Sequence, residues 1–234
     1  MSIPDNLARI RERMASVARR SGRDPADVKL MAVSKTFPAE AIRQAYAAGQ
    51  RLFGENRVQE YAGKAESLRD LPGFEMHLIG HLQSNKARKA AELFAAVDSV
   101  DSVKLAERLN ASAADLGREL PVLIEINIGG EDAKAGVAPD SAELEALLAS
   151  ASRFTNLQIC GLMTVPPFTD DPEGARPYFR RLRELRDQIA ARNLPGVTMD
   201  ELSMGMSHDF EVAVEEGSTC VRIGTAIFGA REYA

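Results

Sequence analysis

Apolar residues fall along this chain in short runs that alternate with stretches of helical spacing. Leu7, Ile10, Met14 and Val17 recur at intervals of three and four, which predicts a helix over 4–21 with Ser2 as its cap and 22–27 as its exit. Leu30, Met31, Ala32 and Val33 then form an unbroken apolar run that fits a buried strand, the first of eight. The others lie at 51–53, 74–78, 95–97, 121–128, 157–163, 199–203 and 220–223. Helices are predicted over 38–48, from 85 onward, and over 103–116, 141–150, 174–192 and 210–216, with a short turn at 225–228. Pro38 opens the second helix and Gly49 closes it. Eight compact βα repeats with no strand-rich appendix predict α/β architecture. The expected form is a single (β/α)8 TIM barrel over 1–234 with an additional N-terminal helix, in preference to an open doubly wound sheet.

Composition narrows the function. The chain has 234 residues, 45% of them hydrophobic, enough for a sizeable core. Its net charge of −5 comes without a long basic block, so neither nucleic acid nor an anionic membrane is the expected partner, and a small molecule fits better. Residues 1–5 lack the apolar core of a signal segment and no later run approaches a membrane span, so a cytoplasmic location is expected. Cys160 and Cys220 each sit in a strand-like run and read as buried reduced thiols. His77, His81 and His208 make no metal pair at ligand spacing, and no metal site is expected. In the charged helix at 176–192, Glu184 and Asp187 follow Arg180 and Arg183 by four residues, as on a solvated face.

The candidate chemistry begins with Lys35, just past the first strand and before the turn signal Thr36-Phe37-Pro38. An amine at the carboxyl end of a barrel strand can project into the mouth, where functional groups collect. To attack an aldehyde it must be neutral. With a reference pKa near 10.4, only roughly one lysine in a few thousand is neutral at pH 7 unless its surroundings lower that value. On position alone a strand-end lysine most simply snorkels to water.

Two loops near the C-terminus change that reading. Gly205 and Ser207 follow the seventh strand, and Gly224 and Thr225 follow the eighth, at positions where such barrels often bind phosphate. Either loop alone would read as a helix cap. Together with Lys35 they suggest a phosphorylated carbonyl ligand held as an imine. Arg222, at the end of the eighth strand, either faces a ring nitrogen of such a ligand or bonds a barrel carboxylate such as Glu201 or Glu125. A ring nitrogen facing arginine must accept a hydrogen bond and stay unprotonated, which makes the ring a poor electron sink. His77 reads as a satisfied core histidine, while Lys86 and Lys134 lie in loops that are either solvated or placed to receive a ligand in transit.

The segments KLMAVSKT (29–36), FGENRVQE (53–60), HLIGHLQSNK (77–86), GLMTVP (161–166), SMGMSHDF (203–210) and GSTCVRIGTAIFG (217–229) resemble the pyridoxal phosphate homeostasis proteins. These are single-domain relatives of the alanine racemase N-terminal barrel. The resemblance implies that Lys35 carries pyridoxal 5′-phosphate as an internal aldimine and that Asn56, Met206, Ser207, Arg222, Gly224 and Thr225 line the cofactor. It implies a role in vitamin B6 and amino-acid homeostasis without established turnover, with PLP-dependent apoenzymes as candidate recipients; a monomer is expected. Gly129, Ala133 and Met76 depart from the family's usual residues, which leaves the cofactor residues untouched but puts a shared use of the 129–136 loop in doubt.

Two enzyme readings compete. A racemase needs an acid/base group on each face of the imine, and Tyr46, Tyr61 and Tyr178 fall in predicted helices while Tyr233 lies in the tail. A Schiff-base aldolase would keep the barrel and the phosphate loops without an aromatic cofactor.

Overall fold

Ser2 starts the first helix, α1 (Ile3–Arg20), by a reciprocal pair of bonds. Its Oγ accepts from the Asp5 amide at 3.3 Å and the Asp5 carboxylate accepts from the Ser2 amide at 3.2 Å. Leu7, Ile10, Met14 and Val17 are buried on one face of α1, as their spacing predicts. The computed structural model describes residues 2–131 and 134–229.

Eight parallel strands follow: β1 (Lys29–Val33), β2 (Leu52–Glu55), β3 (Glu75–Leu78), β4 (Ala96–Val100), β5 (Leu120–Glu125), β6 (Leu157–Met163), β7 (Val197–Ser203) and β8 (Cys220–Ile223). They pair in sequence order and close on themselves, β8 returning to β1 with Met31 opposite Arg222 and Ala32 opposite Ile223. The helices between them are α2 (Ala39–Ala47), α3 (Val58–Ala62), α4 (Ala87–Leu93), α5 (Val103–Asp115), α6 (Ala142–Ser150), α7 (Arg176–Ala190), α8 (Phe210–Glu215) and α9 (Thr225–Phe228). This is the predicted (β/α)8 barrel with α1 added, packed against α2, α8 and α9. No described helix is long and apolar enough to cross a membrane.

Alternation along each strand divides the interior in two. Leu30, Ala32, Phe53, Met76, Leu78, Val97, Ile124, Leu202 and Val221 face outward into one apolar cluster with the helices. Met31, Val33, Leu123 and Met163 are buried but stand outside that cluster, on the barrel side.

The structure departs from the periodic pattern where polar residues find partners. β4 runs on through Asp98 and Ser99 because each is bonded: Asp98 to His77 Nδ1 at 3.1 Å, and Ser99 Oγ to the Gly80 carbonyl at 2.8 Å. β5 stops at Glu125 instead of 128, since Asn127 donates its amide to the Val137 carbonyl and the chain turns into a loop. The short α3 has no counterpart in the apolar spacing. On α7 the arginines reach past their i+4 carboxylates to Glu216. Arg176, Arg180 and Arg183 lie 3.1, 2.9 and 3.1 Å from its carboxylate, which is nearly buried. Cys220 is buried, but Cys160 is only half-buried; both thiols are free. Burial pushes the Cys220 thiol up to about 12.

Candidate functional site

β1 ends at Val33, so Lys35 belongs to a turn and not to the strand itself. Ser34 continues the sheet ladder by donating its amide to the Gly54 carbonyl at 3.0 Å. Its own carbonyl then accepts from the Phe37 amide at 3.1 Å, closing a tight turn with Lys35 and Thr36 at its centre. Thr36 has φ of 69°, a left-handed conformation that a β-branched residue adopts only under constraint. The constraints are visible: the Thr36 amide donates to Glu60 Oε2 at 3.4 Å, and the Phe37 ring stacks on Phe228 at 5.0 Å. Lys35 is half-buried.

Behind this turn lies a buried network whose coupling the sequence does not display. Glu55, with 0% exposure, accepts from Ser34 Oγ at 3.0 Å and from Lys64 Nζ at 2.7 Å, while its Oε2 has no partner. Burial pushes the Glu55 carboxyl above its ordinary range, and Lys64 and Ser34 only partly oppose that. The available signal was adjacency: Ser34 and Glu55 immediately precede two predicted site residues, Lys35 and Asn56. Asn56 is half-buried past the end of β2. Gly80 lets it sit there, for a Cβ on Gly80 would lie 2.4 Å from the Asn56 carbonyl oxygen.

The loops after β7 and β8 meet each other. Thr225 Oγ1 lies 3.3 Å from Ser207 Oγ. Met206 donates its amide to Asp209 Oδ1 at 2.6 Å, which folds 206–209 into a turn ahead of α8. Gly224, between β8 and α9, borders Val33: a Cβ there would meet the Val33 carbonyl oxygen at 3.4 Å, an ordinary contact. Packing therefore does not demand a glycine at 224, and the missing side chain leaves a cradle open at the β1–β8 seam. Gly205 differs. It has φ of 95° and its Cβ would lie 2.5 Å from Ala213 Cβ, so it serves close packing against α8 and not approach to a ligand.

Arg222 points into the barrel with 4% exposure. The carboxylate alternative, a bond to Glu201 or Glu125, is not what holds it. Its Nη1 donates to Ser203 Oγ and its Nη2 to the Thr164 carbonyl, both at 2.7 Å, while Glu201 is paired with Lys29. Burial lowers the guanidinium pKa, opposed by Cys220, Asp98, Glu125 and Asp209. Glu125, inward at the end of β5, is pushed up to about 7 by burial, with Arg222 opposing, and its Oε2 has no partner. Sequence reading named Glu125 only as an ion-pair partner.

Lys35, Asn56, Met206, Ser207, Arg222, Gly224 and Thr225 thus all lie at or just below the carboxyl ends of β1, β2, β7 and β8. An amine, a pair of hydroxyls, a side-chain-free cradle and a fixed guanidinium share one end of the barrel. The set fits a phosphorylated aldehyde with a basic ring nitrogen. His77 is not part of it, being bonded to Asp98 nearer the opposite end. Lys134 donates to the Pro166 carbonyl at 3.1 Å and pairs with Glu131. Met76 faces the helices, away from the mouth, and a Cβ at Gly129 would lie 2.5 Å from Pro167 Cγ. Ala133 and Tyr233 lie outside the described residues. Among the described residues no three metal-binding side chains come together.

Comparison with known proteins gives the same outline. Residues 6–232 match the family model described as alanine racemase, N-terminal domain. A pyridoxal phosphate homeostasis protein of Aquifex aeolicus is 45% identical over 233 residues, covering 100% of both chains. The structure of PipY from Synechococcus elongatus with PLP bound is 46% identical, with a TM-score of 0.80 over 94% of this chain and 100% of that one. An alanine racemase of Clostridium difficile, 15% identical with a TM-score of 0.71, shares the fold over 98% of this chain and 58% of its own. By full-length identity, the chain belongs to the pyridoxal phosphate homeostasis proteins, within the alanine racemase N-terminal-domain family.

Proposed function

We propose that this chain is a single-domain pyridoxal 5′-phosphate-binding protein that holds the cofactor covalently on Lys35 and serves vitamin B6 and amino-acid homeostasis inside the cell. The observation that carries the reading is the shared seam: the turn that presents Lys35 and the loop at Gly224 lie side by side at the ends of β1 and β8, with Phe37 of the turn stacked on Phe228 of α9. When bound, the cofactor supplies an aldehyde carbon that condenses reversibly with a primary amine.

The chain's residues divide the rest of the work. Lys35 provides the amine, held by a constrained turn that the Ser34–Glu55–Lys64 network backs. Ser207, Thr225 and the open backbone at Gly224 take the phosphate, and Asn56 and Met206 line the space between. Arg222, fixed by Ser203 and Thr164, donates toward the ring nitrogen. Because an arginine offers only donors, it favours an unprotonated ring and restrains electron withdrawal.

We read the protein as a carrier without turnover of its own. Racemisation needs an acid/base group on each face, and the described tyrosines are engaged on the helical layer. Tyr46 donates to the Pro72 carbonyl at 2.7 Å, Tyr61 packs on Phe94 at 5.0 Å, and Tyr178 packs against the apolar cluster. Apoenzymes that use the same cofactor are the proposed recipients, and a monomer in the cytoplasm is the proposed form. Adding pyridoxal 5′-phosphate to purified protein should give visible absorption that Lys35→Ala abolishes, with no interconversion of alanine enantiomers. A colourless wild-type protein, or racemisation at enzymic rates that depends on Lys35, would overturn the reading.

A further inference from the structure

The inward positions at the amino-terminal end of the barrel are only partly filled, by Met31 and Leu123. Closed (β/α)8 barrels pack this space with layers of bulky branched side chains. Here the chain places Ala96, Cys160, Ser203 and Cys220 on the inner wall, with Lys29, Glu75, His77, Asp98 and Glu201 beside them. The result is a cavity of about 630 Å³. That lies within the roughly 300–1,000 Å³ of small-molecule sites. It opens away from Lys35, at the end where β1 begins at Lys29 and β3 at Glu75.

The lining carries both signs of charge, and one carboxylate is left without a partner. Lys29 is bonded to Glu201, and His77 Nδ1 lies 3.1 Å from Asp98, whose side chain is 2% exposed. Glu75, exposed at the rim, belongs to neither pair. With Arg222 held behind Ser203 also counted, Glu75, Asp98 and Glu201 outnumber Lys29 and Arg222 while His77 is neutral and match the cations when it is protonated, so the unpaired negative charge is the Glu75 carboxylate at the rim. An unpaired carboxylate at the mouth of an apolar cavity favours a cation there. Burying the Asp98–His77 pair in the barrel interior costs stability, and rule-breaking of this kind is expected where a site is used.

We propose that the amino-terminal end of the barrel is a second binding site, taking a small organic cation with an apolar body. The site does not depend on Lys35. Ser203 forms its inner boundary and also accepts the hydrogen bond from Arg222, so the two ends of the barrel share one side chain.

The test is isothermal titration calorimetry with benzyltrimethylammonium, a cation that cannot condense with an aldehyde. The expected result is saturable one-to-one binding, equal in wild type and Lys35→Ala, with benzyl alcohol and phenylacetate giving no saturable heat. Glu75→Gln, an exposed change that the fold tolerates, should weaken binding about five- to tenfold, and Ala96→Leu, which fills the cavity, should abolish it. Absence of saturable heat up to about 10 mM would overturn the proposal. So would equal binding of phenylacetate, loss of binding in Lys35→Ala, or unchanged binding in Glu75→Gln.

Discussion

Arg222 and Ser203 are joined by a hydrogen bond of 2.7 Å inside a closed barrel, on neighbouring strands whose outward residues belong to the apolar core. The guanidinium is held by a hydroxyl and a carbonyl, with its compensating carboxylates further off. Ser203→Ala would leave one donor of a buried cation unmet, at a cost of about 1.5–3 kcal/mol. Thermal denaturation should register a fall in Tm of about 3–12 °C. An unchanged Tm would mean that water replaces the hydroxyl freely.

The two loop glycines should separate packing from binding. Gly205→Ala forces a Cβ to within 2.5 Å of Ala213 at φ of 95°, and should destabilise the fold by about 2–4 kcal/mol in chemical denaturation. Gly224→Ala meets only an ordinary contact with Val33 and should change stability by less than about 1 kcal/mol. It should nevertheless weaken pyridoxal 5′-phosphate binding, measured by absorption titration. Equal effects of the two changes on stability would refute the distinction.

Lys64→Met removes the cation beside a fully buried carboxylate, Glu55. Breaking such a pair from one side costs about 3–5 kcal/mol. The loss should be greatest near neutral pH and shrink as the pH falls through the raised pKa of the carboxyl. The double change Glu55→Gln with Lys64→Met should recover most of it. A double variant no more stable than Lys64→Met at pH 7 would contradict this account.

Glu125 predicts a pH dependence. Its folded-state pKa of about 7 lies above the ordinary 4.5, so between those values the folded chain binds more protons than the unfolded one. Its contribution to stability therefore falls as pH rises from about 4.5 to about 7. Glu125→Gln should stabilise the protein at pH 8 by on the order of 2 kcal/mol relative to its effect at pH 4. Urea denaturation of both proteins at the two pH values checks this, and an equal difference at both would contradict it.

The order of elements was legible because each strand is an apolar run and each helix has its own spacing, so chain order alone implies a closed parallel barrel. That Lys35, Ser207, Arg222, Gly224 and Thr225 lie at one end of the barrel was legible for the same reason, since strand ends follow from strand positions, whereas Asn56 and Met206 entered only through the family resemblance. What escaped is what depends on partners across the fold. Glu55 and Lys64 lie nine residues apart with nothing in the chain to couple them until Ser34 is brought alongside. For Arg222 the sequence leaves open a ring nitrogen or a carboxylate, and the barrel excludes the carboxylate by offering a hydroxyl and a carbonyl at the right distance. Gly205 and Gly224 read alike as residues, and only the neighbouring Ala213 and Val33 distinguish them. The cavity at the other end needs inward parity on several strands at once, which no single run displays.

The central claim is a bond between Lys35 and the aldehyde of pyridoxal 5′-phosphate. Borohydride reduction of the loaded protein, followed by proteolysis and mass spectrometry, reads it directly. The account predicts one pyridoxyl adduct, on the peptide containing Lys35, and none on Lys64, Lys86 or Lys134. An adduct mapped to any other lysine, or none at all on protein that has been saturated with the cofactor, would contradict it.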